Sequence, residues 1–210
     1  MRVLMLGNSF TFANNMPETL ANLIDAEVVQ HTRGGARLAE QLNPDTKMGG
    51  MTQAALENEK WDYVILQEMS NGPITSRESF LKNTALLCER IRSNGAVPVL
   101  YATWAYQKGS KQLESFGMDY DEMYQKMYDA YHEAADQNKA LIADVGKCFY
   151  EEATKQDIFA KDGCHPNELG SKLAAQVIAD VILADQANKA EMVIEPKVED
   201  NDTRLRILYL

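Results

Sequence analysis

Short unbroken apolar runs alternate along this chain with longer stretches in which apolar residues recur at helical spacing, the pattern of a parallel sheet covered by helices. Residues 3–6, 28–31, 62–67, 96–103 and 140–145 are the predicted strands. Pro17, after Asn14-Asn15-Met16, suits a helix start, with Leu20, Leu23 and Ile24 on one face. Thr75 and Glu78 have capping-box spacing, and Asn94-Gly95 marks the end of the helix that would follow. Met123, Met127, Ala130, Tyr131 and Ala134 form a stripe at helical spacing that reads as core rather than as a ligand site. Residues 167–187 are expected to form a last helix with Leu169, Leu173, Ala174, Val177, Ile178 and Val181 inward.

After residue 187 the pattern changes. Residues 188–203 are rich in charge, whereas Leu205, Ile207 and Tyr209 alternate with Arg206, Leu208 and Leu210. The expected division is one domain over 1–187, then a charged linker and a terminal strand over 188–210. That strand would pair with an edge of the same sheet or with a partner subunit, because an exposed apolar edge is an aggregation hazard.

A chain of 210 residues is long enough for one well-buried core and short for two. Its net charge of −10 comes without a cluster of Lys and Arg, which argues against nucleic acid or an anionic membrane as partner. Arg2 is followed by only four apolar residues before Gly7, so no leader is expected, and no apolar run approaches the ~20 residues of a membrane span. The expected location is cytoplasmic. Cys88, Cys148 and Cys164 are odd in number and widely spaced, which suits reduced thiols. His31 and His132 have no ligand at metal spacing, and no metal or cofactor is expected.

Chemistry enters at two places. The first strand runs into Gly7-Asn8-Ser9, and far downstream stands Asp162-Gly163-Cys164-His165-Pro166. A serine hydroxyl needs an imidazole to take its proton, and the imidazole needs a carboxylate to hold its tautomer. Ser9, His165 and Asp162 supply the three groups. In an open parallel sheet, ligands bind outside the carboxyl ends of the strands. Ser9, Gly35, Gln67 to Asn71, Trp104 and the Asp162–His165 segment all follow predicted strands and can converge there. Each also has a plain structural alternative: Ser9 as a helix cap, Asp162 and Gly34-Gly35 as turn residues, Gln67 and Asn71 as loop-tying amides.

These blocks resemble the SGNH, or GDSL-like, hydrolases, a family of esterases and lipases. Gly7-Asn8-Ser9-Phe10-Thr11 is similar to the nucleophile block, with Asn8 where many members have Asp; Gly34-Gly35-Ala36-Arg37-Leu38 resembles the second block, and Asp162-Gly163-Cys164-His165-Pro166 the last. The resemblance implies a three-layer α/β/α, flavodoxin-like fold with a five-stranded parallel sheet in the order 2-1-3-4-5. It also implies an oxyanion hole formed by the backbone N–H groups of Ser9 and Gly35 and one side-chain amide. The third block departs from the family's Gly-x-Asn, so that amide is either Asn71, the favoured candidate, or Gln67. Trp104 would wall a substrate pocket. The implied activity is hydrolysis of a small-molecule or carbohydrate ester, with acetyl as the acyl group; an acyltransferase or thioesterase using the same triad is the alternative. A non-catalytic binding module on the same sheet is the alternative of another class.

Overall fold

The computed structural model describes residues 1–194. In chain order the elements are β1 (Arg2–Gly7), α1 (Ser9–Phe12), a 3-10 turn (Ala13–Asn15), α2 (Met16–Ile24), β2 (Glu27–Thr32), α3 (Leu38–Leu42) and α4 (Lys47–Asn58). There follow β3 (Tyr63–Leu66), α5 (Gly72–Thr75), α6 (Arg77–Asn94), β4 (Val97–Tyr101), α7 (Lys111–Phe116), α8 (Tyr120–Asn138), β5 (Leu141–Ala143), α9 (Val145–Glu152) and α10 (Glu168–Ile194). The five strands form one parallel sheet in the order β2-β1-β3-β4-β5.

The inner strands are apolar on both faces because helices cover both. Val3, Leu4, Met5 and Leu6 of β1 are wholly buried, as are Val64 and Ile65 of β3, as expected for a parallel sheet enclosed between helical layers. Register is set at this centre: Leu4 lies between Val29 of β2 and Val64 of β3, and Leu6 between His31 and Leu66. α2 packs on α10, while α6 packs against α3, α4 and α8. The Met123, Met127, Ala130, Tyr131 and Ala134 stripe of α8 is buried in the core. Among the described residues no helix is long and apolar enough to cross a membrane.

Several expectations need correction. Val145 opens α9 instead of closing the fifth strand, and β5 keeps only three residues. Thr75 and Glu78 make no capping box: Thr75 ends α5 and its hydroxyl donates to the Asn71 carbonyl, while Ser76 caps α6 without a side-chain bond. Gly95 does end α6, in the left-handed region. Leu23 and Leu169 are exposed; in α10 the expected Ala174 and Ile178 are fully buried, Leu173, Val177 and Val181 are half-buried against the core, and Ser171, Ala175, Ala179 and Ile182 complete the inward face. α10 also runs on to Ile194, past the expected boundary at 187. The terminal strand expected over 204–210 lies outside the described residues.

Candidate active site

Five loops leave the carboxyl ends of the strands, and side chains from one loop hold the next. Asn8, directly after β1, caps α1: its Oδ1 accepts from Phe10 N (3.1 Å) and its Nδ2 donates to the Ala36 carbonyl on the loop after β2 (3.0 Å). Ser9 is therefore the first helical residue, where the backbone N–H has no intrahelical acceptor. Its Oγ lies 2.9 Å from His165 Nε2.

His165 is held from several directions. Its Nδ1 lies 2.5 Å from Asp162 Oδ2, while Asp162 Oδ1 accepts the backbone N–H groups of Cys164 (3.0 Å) and His165 (2.9 Å). Burial disfavours the charge on Asp162, but the Cys164 N–H and then the imidazole and N–H of His165 outweigh it, so this carboxyl lies below its ordinary range. With the proton on Nδ1 toward Asp162, the Nε2 lone pair faces the Ser9 hydroxyl, the tautomer general-base action requires. Gly163 makes the short Asp162–His165 spacing feasible. It has φ +70°, and a Cβ there would lie 2.4 Å from Ser110 Cβ, so any larger residue meets both strain and a clash.

The segment is fastened below as well. Trp104 Nε1 donates to the Cys164 carbonyl (2.9 Å), Gln107 N to the Gly163 carbonyl (2.8 Å), and Asn14 Nδ2 to the Pro166 carbonyl (3.0 Å) and Ser171 Oγ (2.9 Å). Trp104 stacks between Phe10 (4.6 Å between centroids) and Phe149 (4.0 Å), and Phe10 sets an edge-to-face contact on His165 (5.3 Å). Trp104 is only 1% exposed. It does not wall a substrate pocket as expected; it supports the helix that begins at Ser9 and the His165 loop from beneath. Cys164 faces inward, and burial pushes its thiol up to about 12, far from a reactive thiolate.

The loop after β2 carries Gly35 at φ +69°. The turn closes from Ala36 N to the Arg33 carbonyl (3.0 Å), so the Gly35 N–H takes no part in it. A positive φ at this third turn position is a glycine requirement. Gln67 is only 1% exposed: Oε1 accepts from Asn8 N (2.8 Å) and Thr11 Oγ1 (3.0 Å), and Nε2 donates one N–H to the Glu68 carbonyl. Its amide ties the first and third loops together, which favours Asn71 over Gln67 as the side-chain oxyanion donor. Asn71 precedes α5 and its side chain makes no cap bond, while Ser70 Oγ lies 3.0 Å from the Tyr106 hydroxyl. Sequence reasoning missed Asn14, Glu68 and Ser110 as parts of this scaffold. The signal for Glu68 was a carboxylate two residues past the end of a buried strand.

Residues 42–186 match the family model described as "Domain of unknown function (DUF4886)". No curated protein sequence matches the chain. Among solved structures, a protein from Slackia heliotrinireducens assigned provisionally to the SGNH hydrolases is 49% identical, with TM-score 0.83, covering 87% of this chain and 98% of that one. A DUF4886 family protein from Bacteroides uniformis is 21% identical (TM-score 0.66, 88% and 83% covered). Axe2, an acetylxylan esterase from Geobacillus stearothermophilus, shares the fold at 15% identity (TM-score 0.63, 86% and 93% covered). With the family model over most of its length and the Slackia protein matched nearly end to end, the chain belongs to the DUF4886 family and is a serine hydrolase of the SGNH type.

Proposed function

We propose that this chain hydrolyses carboxylic esters carrying a small acyl group, such as acetyl on a carbohydrate, with Ser9, His165 and Asp162 as its triad. The observation that carries the reading is the continuous Ser9 Oγ–His165 Nε2–His165 Nδ1–Asp162 Oδ2 chain at 2.9 and 2.5 Å. Ser9 Oγ attacks the ester carbonyl carbon as its proton passes to Nε2, and the carbonyl π pair moves onto oxygen. The resulting oxyanion is met by the N–H groups of Ser9 and Gly35, with the Asn71 amide as the third donor. Each such donor is worth roughly 10² to 10³ in kcat. The imidazolium, stabilised by Asp162, protonates the leaving alcohol. Water then gives its proton to the neutral imidazole, adds to the acyl-serine, and Ser9 leaves with that proton restored.

The site is open to solvent, with the His165 and Asp162 side chains 39% and 50% accessible, so water can reach the acyl-serine. The acetyl and carbohydrate preference draws on the name of Axe2, whose fold this chain shares. The test is turnover of p-nitrophenyl esters of graded chain length beside acetylated xylo-oligosaccharides. Highest kcat/KM on acetyl esters, with free acid as the product, is expected. A preference for long acyl chains, or acyl transfer to an added alcohol outrunning hydrolysis, would overturn it.

A further inference from the structure

Among the described residues Glu68 is the only buried carboxylate, at 3% exposure, and no step above uses it. It stands two residues beyond β3, after Gln67, and its two oxygens take backbone N–H groups from two different loops. Oε1 accepts from Met69 N (2.7 Å), next in its own loop, and Oε2 accepts from Leu38 N (3.3 Å), three residues beyond Gly35. The loop bearing Gly35 is thus gripped twice, at Ala36 by Asn8 Nδ2 and at Leu38 by Glu68. Burial raises the Glu68 carboxyl above its ordinary range, opposed by the Met69 and Leu38 N–H groups and by the nearby Arg37 guanidinium.

An interior carboxylate is an expensive way to hold two loops, since well-packed apolar residues do so at lower cost. What it adds is direction. An oxyanion donor must stand ~2.7–3.1 Å from the position the oxygen reaches in the transition state, and small displacements forfeit most of the effect. We propose that Glu68 is a positioning residue for the oxyanion hole, clamping the loop after β2 to the loop after β3 so that the Gly35 N–H faces the carbonyl attacked by Ser9. This rests on the ester-hydrolase reading.

Glu68→Gln keeps the shape, but its amide can offer only one acceptor oxygen to two backbone N–H groups. kcat on p-nitrophenyl acetate should fall about ten-fold or more, part of the 10² to 10³ that a lost donor costs, with KM within about two-fold. The second-order rate of Ser9 phosphonylation by a fluorophosphonate should fall in step, because the same oxygen gains charge. Leu38→Pro cuts the clamp from the other end: Leu38 is the first residue of α3 and Arg37 before it is extended, a geometry that accepts proline. It should show the same kcat loss, and the double variant no further loss, as expected of residues acting as one unit; should Glu68→Gln not fold, Leu38→Pro alone decides. Folded variants with wild-type kcat and labelling rate, or a loss confined to KM or tracking the unfolded fraction, would overturn the clamp alone. A wild-type chain that labels but turns over no ester would instead remove the ester reading and the clamp's role in it.

Discussion

Trp104 is the residue whose structural position departs furthest from its expected role, and its replacement by Phe has a calculable outcome. The indole donates to the Cys164 carbonyl at 2.9 Å and is sandwiched between Phe10 and Phe149. Trp104→Phe leaves that carbonyl without its donor, worth about 1–3 kcal/mol, and opens a small cavity where the second ring stood. Together these amount to about 2–4 kcal/mol, which for a chain of this size lowers Tm by about 4–16 °C. Because Cys164 precedes His165, and Phe10 packs on both Trp104 and the imidazole, the base should also lose its setting. A misplacement of about 1 Å can cost up to 10² in rate. The assay is thermal melting followed by steady-state hydrolysis of p-nitrophenyl acetate well below the new Tm. Phe149→Leu is the control, since it loosens the far side of Trp104 and spares the hydrogen bond. A Trp104→Phe variant whose Tm moves by less than about 2 °C, or whose kcat falls no further than that of Phe149→Leu, would refute the account of Trp104 as the support of the histidine loop.

Three further outcomes follow from the geometry. Asn71→Ala should reduce kcat by the roughly 10² to 10³ of one oxyanion donor while leaving Tm nearly unchanged, whereas Gln67→Ala should act chiefly on Tm by leaving the Asn8 N–H and Thr11 hydroxyl unpaired; the reverse ranking would return the donor role to Gln67. The Cys164 and Cys88 thiols, pushed up by burial to about 12 and about 11, should resist iodoacetamide at neutral pH in the folded protein, and mass spectrometry showing rapid alkylation at either would contradict their burial. Asp162 is held below its ordinary range in the folded state, so its stabilising contribution is present above the unfolded value of about 3.9 and is lost as pH falls through the lower folded value. Urea denaturation should therefore show wild type more stable than Asp162→Asn at neutral pH, with the gap closing in acid; an equal gap at both would refute the charged contacts.

The sheet and the close approach of Ser9, His165 and Asp162 were legible because each rests on a short local signal. The inner strands are continuous apolar runs, and Asp162 and His165 belong to one turn that Gly163 allows. Helix rotation was less legible: Leu23 and Leu169 fit a helical period, but period sets the width of a stripe and not which flank meets the sheet. α4 was missed altogether, since Gly49-Gly50 near its start lowers helix propensity, and the helix starts where Thr46 Oγ1 accepts from Gly49 N. The loop amides were illegible for a different reason. Gln67 and Asn71 are chemically alike, and what separates them is that Gln67 accepts from Asn8 and Thr11, nearly sixty residues away, whereas Asn71 makes no side-chain cap bond. A separation of 30 residues hid the Glu68–Leu38 contact.

The central claim is that Ser9 is a nucleophile activated by His165, and the most direct measurement is mapping of the covalent adduct. Wild type, Ser9→Ala and His165→Ala would be treated with a fluorophosphonate, digested and analysed by mass spectrometry. The account predicts a single phosphonyl group on the wild-type peptide carrying Ser9, none on Ser9→Ala, and labelling of His165→Ala slowed by roughly 10² to 10⁴, the usual range for loss of a general base. Modification at another serine, or labelling of His165→Ala at the wild-type rate, would contradict it.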